Sequence, residues 1–204
     1  MKKLSRNYYN RDTLEVARDL LGKYLVHEIN KKKLVGKIVE VEAYKGLEDK
    51  AAHSYSGKIT KRNKIMFGPP GFSYVYHIYG MYQCMNVVVE REGKPCAILI
   101  RAIEPIDGND MMAQNRFNKS YNELDDKMKT NVSNGPGKLC IALGITIEQY
   151  GEDLCGNILY ITEGDKIAHE QIVATTRINI DYAEEAIHYP WRFYIKDNRF
   201  ISRK

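Results

Sequence analysis

Between residues 42 and 82 a carboxylate, a histidine and a group of tyrosines lie close together, and these are the side chains here that could do chemistry. Counting by two along a strand at Leu34–Tyr44 puts Glu40, Glu42 and Tyr44 on one face and Val39, Val41 and Ala43 on the other. Strand glutamates are ordinarily solvated, and Glu40 is read that way. Glu42 is the carboxylate to weigh against that reading, because it shares its face with Tyr44 and runs straight into a glycine-containing loop that carries His53, but alone it does not establish a role. The five histidines, His27, His53, His77, His169 and His188, show no i, i+4 spacing, and the four cysteines form no C-x-x-C, so no metal-hydrolase motif is present. Cys84, Cys96, Cys140 and Cys155 read as reduced, mostly buried thiols.

Of the 15 tyrosines, Tyr74, Tyr76, Tyr79 and Tyr82 crowd residues 72–82. A flat ring with a polar tip suits an ordinary half-buried strand, and it equally suits a platform on which bases stack. Tyr79 adjoins an expected turn, where a large ring is exposed unless it inserts into something, such as a stack of base pairs. Asn134-Gly135-Pro136-Gly137-Lys138, at a helix start, could hold a phosphate on backbone N–H groups, although it is not a Walker loop. The Lys31–Lys33 run is either a solubilising turn or a binding finger.

The elements that must position these residues are legible in outline. Asp12–Gly22 reads as a short helix with a D-x-x-E start and an apolar stripe at Leu14, Ala17, Leu20 and Leu21. Tyr24–Ile29 and Leu34–Tyr44 read as a hairpin, and residues 45–71 as a long functional loop. Phe72–Tyr79 and Tyr82–Val89 flank Gly80-Met81, a tight turn whose glycine supplies the unusual dihedral. A buried strand is expected at Ala97–Arg101, helices at Asp107–Phe117 and Pro136–Leu143, and strands at Ile158–Thr162 and Ile172–Arg177. Residues 118–133 are polar and expected to be the most mobile stretch.

With 204 residues, 44% hydrophobic and 28% charged, the chain fits one compact domain spanning 1–204 and is too apolar to be disordered. Its net charge of +5 does not by itself require a polyanionic partner. The excess is concentrated, however: residues 1–64 carry 16 Lys and Arg against 8 Asp and Glu, so a basic face is plausible. The basic N-terminus leads into no apolar core and no segment approaches a membrane span, which points to the cytoplasm. Hairpins and scattered helices without repeats indicate an α+β class.

Taken in order, the long blocks of this sequence resemble the 3-methyladenine DNA glycosylase family of the alkyladenine type. They are VEVEAYKGLEDKAAHSYSGK with FSYVYHIYGMYQCMNVVV inside Val39–Val89, ILIRAIEP at 98–105, NGPGKLCIALGI at 134–145, and RINIDYAEEAIHYPWRFYI at 177–195; the likeness covers roughly residues 6–198. The fold expected is a single α+β domain, with a mixed and mostly antiparallel curved sheet or open barrel, surrounding helices and a protruding β-hairpin.

The resemblance implies roles for matching positions. Glu42 would activate the water that attacks the sugar of a flipped nucleotide, worth about 10² to 10⁴-fold as general-base help, with Arg101 near that water and the nucleotide's phosphate. Tyr44, His53 and Tyr76 would sandwich the extruded base, and Asn86 on the pocket floor would disfavour guanine. Cationic alkylated purines would gain roughly 0.5 to 2 kcal/mol from the aromatic faces. Tyr79 would intercalate, with Met81 and Tyr82 at the same tip in the minor groove. The expected activity is monofunctional excision of alkylated purines of the 3-methyladenine type, extending to hypoxanthine or ethenoadenine, as the start of base excision repair. No metal or cofactor is expected. The expected partner is double-stranded DNA containing damaged purines, bound by a monomer that is nucleoid-associated if bacterial. A recognition protein that flips bases without excising them, and a bifunctional lyase, are the alternatives.

Overall fold

A computed structural model describes residues 2–78 and 80–203. Among these residues the central element is one curled antiparallel sheet. Its strand order is β3 (Ser73–Ile78), β4 (Tyr82–Val89), β5 (Cys96–Asp107), β2 (Lys32–Tyr44), β1 (Tyr24–Ile29) and β6 (Leu159–Thr162). β8 (Arg192–Ile195) also joins β2 and carries β7 (Ile172–Thr175) on its far edge. Around the sheet lie α1 (Arg6–Tyr9), α2 (Thr13–Leu20), α3 (Asn109–Phe117), α4 (Asp126–Asn131) and α5 (Pro136–Leu143). The α+β class and curled sheet match the expectation, but each described ladder is antiparallel rather than mixed.

Local chemistry accounts for the elements that flank the site. The Asp12 side chain accepts from the Leu14 and Glu15 amides to start α2, which buries Val16, Ala17 and Leu20. α5 begins with Pro136 in its first turn, packs Leu139, Cys140, Ala142 and Leu143 into the core, and ends at Gly144 in the left-handed region. The Asn30–Lys31 turn between β1 and β2 has positive φ at both positions, as a two-residue hairpin demands.

β2 departs from simple alternation. Its register against β5 shifts between Ile38 and Glu40 and again between Glu40 and Val41. Val39 therefore packs with Ala102 and Phe200, apart from the main core that holds Val41 and Ala43. The face that carries Glu40 is a second interior, because the Arg101 and Arg192 side chains and the segment near Ser202 close over its carboxylate. Glu40 is accordingly fully buried, which corrects its reading as a solvated glutamate.

Other differences follow from neighbours the sequence does not display. β5 runs on to Asp107 because β2 is long enough to pair with it, and β8 is a four-residue strand defined by its pairing with β2 and β7. Residues 118–133 contain a turn of 3-10 helix at Tyr121–Glu123, capped by Ser120, and α4, capped by Asp125. All four cysteines are free, with Cys84, Cys96 and Cys140 buried.

Candidate functional site

The second half of β2 runs between β5 and β8, pairing Glu42 with Leu99 on one side and Arg192 on the other, so its carboxylate is held from several directions. Glu42 is 0% exposed. Its Oε1 accepts the Ile178 amide at 2.7 Å, and its Oε2 accepts the Tyr44 hydroxyl at 2.8 Å and lies 3.2 Å from Arg101 Nη1. A carboxylate offers about four lone-pair positions, so three donors leave one unused. Arg101 also donates from Nε to Glu40 at 3.2 Å, and burial, which works against its charge, is outweighed by the Glu42 and Glu40 carboxylates that raise its pKa. Burial, reinforced by Glu42, pushes the Tyr44 phenol well above its ordinary value, so it stays protonated and donates.

In front of this cluster opens a cavity of about 600 Å³, within the ordinary range for small-molecule sites. Tyr44, His53, Tyr74, Tyr76, Asn86 and Arg101 are among its lining residues, while Glu42 sits directly behind Tyr44, Arg101 and Ile178. His53 meets Tyr76 edge to face at 4.7 Å, and Tyr74 and Tyr76 lie 5.2 Å apart. Asn86, buried, lines the cavity and donates its Nδ2 to the Tyr74 carbonyl at 3.0 Å. His53 retains exposed surface, yet desolvation by its surroundings and then the Arg62 charge push its pKa down to about 4. The imidazole is neutral at ordinary pH.

Several residues here carry no isolated signal in the sequence. Arg177 and Asp49 form a fully buried bidentate pair at 2.5 and 2.8 Å. The same guanidinium lies 4.8 Å over the Tyr44 ring and donates to the Ala43 carbonyl, and the next residue, Ile178, supplies the amide to Glu42. Asn179, at positive φ, lines the cavity. Arg62, in the long loop, stacks 4.5 Å over Tyr76. Residues 45–71 read as a long functional loop and RINIDY opens the block at 177–195, but only tertiary contact reveals which of their members point inward. The aromatic walls expected to attract cations thus already have a guanidinium on Tyr44 and on Tyr76.

The Asn134–Lys138 turn reaches the cavity rim. Gly135, Pro136, Gly137 and Lys138 line it beside Arg116, and Lys138 donates to the side-chain oxygens of Asn131 at 2.6 Å and Asn134 at 2.7 Å. A Cβ at Gly137 would come within 3.1 Å of Tyr82, so the bare backbone lets the β3–β4 hairpin lean on α5. At the hairpin tip Gly80 has φ of +72°, Met81 is 68% exposed and Tyr82 41%. Tyr79 lies outside the described residues. Among the described residues no group of three or more His, Cys, Asp or Glu could hold a metal ion, and no helix is long and apolar enough to cross a membrane.

Glu42, Tyr44, His53, Tyr76, Asn86, Arg101 and Tyr82 therefore converge on one cavity, with Met81 at the hairpin tip. The sequence model of the methylpurine-DNA glycosylase family matches residues 7–199. A protein of Alkaliphilus oremlandii named "Putative 3-methyladenine DNA glycosylase" is 59% identical over 202 residues, 99% of this chain and 100% of that protein. Proteins with the same name from Desulfitobacterium hafniense and Clostridium novyi are 56% and 53% identical over 204 residues, the full length of each chain.

Proposed function

This chain belongs to the methylpurine-DNA glycosylase family and is a DNA glycosylase, and from that premise we propose that it flips alkylated purines out of duplex DNA and hydrolyses their N-glycosidic bond without cutting the strand. The observation that carries this reading is the carboxylate of Glu42, sealed from bulk solvent immediately behind a ring-lined cavity.

Each surrounding group has a part in the reaction. The Ile178 amide, the Tyr44 hydroxyl and Arg101 fix the Glu42 carboxylate, whose remaining lone pair takes a proton from water as the water oxygen bonds to the anomeric carbon. The bond from that carbon to the base nitrogen breaks, and its electron pair leaves with the base. Until the new bond forms, the Glu42 charge stabilises the cationic sugar. Tyr44, His53 and Tyr76 would form the walls that sandwich the base, at about 1 to 3 kcal/mol per stacked base. Asn86 on the pocket floor would crowd guanine's 2-amino group and so disfavour guanine. Tyr79, with Met81 and Tyr82, would fill the vacated stack, and the rim cations Arg116 and Lys138 would face phosphate. We assign the activity to residues 1–204 as one unit acting as a monomer in the cytoplasm.

The test is release of free base from methylated duplex DNA. Glu42→Gln keeps the shape and should slow release by about 10² to 10⁴-fold, while wild-type turnover by that variant overturns the mechanism. Tight binding of damaged duplex by the wild type with no base released would favour recognition without excision, and a borohydride-trapped adduct would favour a lyase.

A further inference from the structure

Glu40 is a second carboxylate buried behind the cavity, and it is not one of the residues that line it. Arg101 bridges it to Glu42, with each guanidinium nitrogen turned to a different side chain. Nε donates to Glu40 Oε1 at 3.2 Å, Nη1 lies 3.2 Å from Glu42 Oε2, and Nη2 donates to Ser202 Oγ at 3.3 Å. A guanidinium that faces a single carboxylate tends to fork onto both of its oxygens. Here Glu40 and Ser202 occupy two of the three nitrogens, so Arg101 meets Glu42 through one alone.

The charges of this group also balance. Arg192 Nε lies 3.5 Å from the same Glu40 oxygen, and the Ser202 amide donates to Glu40 Oε2 at 2.5 Å. Glu40, Glu42, Arg101 and Arg192 are all buried, and together they make two carboxylates and two guanidiniums with no net charge. The other groups around Glu42 add none. The Tyr44 and Tyr182 phenols are raised by burial, the Cys84 thiol of β4 is pushed up to about 11 by burial, and Arg177 is matched by Asp49. Without Glu40, two guanidiniums would share one carboxylate. Their excess positive charge in a poorly solvated interior would favour the ionised form of Glu42 and weaken it as a proton acceptor.

We propose that Glu40 is a positioning residue that divides the charge of Arg101 and so keeps Glu42 able to take the proton of the attacking water. This rests on the glycosylase reading of the same cavity. Two carboxylates on one strand then have separate tasks: one reacts, and the other sets its strength without meeting the substrate.

Single-turnover base release from duplex carrying 7-methylguanine, a cationic base that leaves without being protonated, tests this across pH. The rate falls on the acid side as a general base becomes protonated. Glu40→Gln removes a negative charge with little change of shape. It should move that acid limb down by about one pH unit and lower the plateau by about threefold, because a weaker base assists less, with affinity for the damaged duplex unchanged. Arg192→Gln removes a positive charge and should move the limb up by a similar amount, while the double variant, neutral again, should return it to the wild-type position. His53, which lines the same cavity and is depressed to about 4, is common to every variant. A merely structural role would lower the rate at every pH and leave the limb in place, so unmoved limbs, or limbs that move the same way in both single variants, overturn the proposal. If one single variant does not fold, the direction of the other decides; if neither folds, a limb in the double variant displaced from that of the wild type overturns the proposal and one that coincides with it supports it. Inactivity of the wild type on every lesion would defeat the glycosylase reading. Titration of the Glu42 carboxyl by nuclear magnetic resonance needs no turnover, and the same comparison of variants would still decide the role of Glu40.

Discussion

The Tyr44 hydroxyl donates to Glu42 Oε2 at 2.8 Å, so a wall of the cavity and the carboxylate behind it form one hydrogen-bonded unit. The two residues alternate with Ala43 on β2 and so present their side chains to the same face.

Replacing Tyr44 with Phe keeps the ring and removes the donor. Base release should fall by about tenfold, the order of one hydrogen bond to a charged group, while affinity for damaged duplex stays near that of the wild type. An equal loss in affinity would mean that the hydroxyl serves binding and not the carboxylate.

Asp49→Asn leaves Arg177 charged and buried without its counter-ion. Breaking such a pair costs about 3 to 5 kcal/mol, read as a lowered midpoint in urea unfolding. Because Arg177 stacks on Tyr44 and precedes Ile178, whatever variant remains folded should also lose excision rate. Unchanged stability would show that the pair is dispensable to the fold.

The His53 pKa is depressed to about 4 by desolvation and the Arg62 charge, and that of the buried His27 is lowered by its burial. The unfolded chain therefore binds these protons first, near the ordinary histidine value of about 6.5. Their contribution to stability is complete above that value and is lost as pH falls from about 6.5 toward the folded-state values. Nuclear magnetic resonance titration should find the His53 ring still neutral at pH 5.5, and a folded-state midpoint near 6.5 would contradict the desolvated environment.

Much of the site could be read in the one-dimensional pattern because its residues are packed into a strand, a loop and a hairpin that follow one another. Glu42 and Tyr44 share a strand face by period two, and His53, Tyr76 and Asn86 lie in long blocks of characteristic residues. Glu40 was misread for a physical reason: Arg192 and the Ser202 segment arrive from far along the chain and convert a face that looks polar into an interior. Arg62, Asp49 and Arg177 were not singled out for a similar reason. A lone Arg or Asp in a loop is ordinarily solvated, and only the packed structure brings Arg177 against Asp49, at a sequence distance of 128 residues.

The Ser202 amide and hydroxyl both donate to Glu40, and the Arg203 carbonyl accepts from Arg192. These late residues behave as a stopper in the wall behind the acidic strand. Were they pulled out, water could leak to Glu40, Arg101 would lose an oxygen partner, and the grip of Arg101 on Glu42 would slacken. Readiness of the reacting carboxylate is thus tied to a short length of chain that never meets the cavity itself.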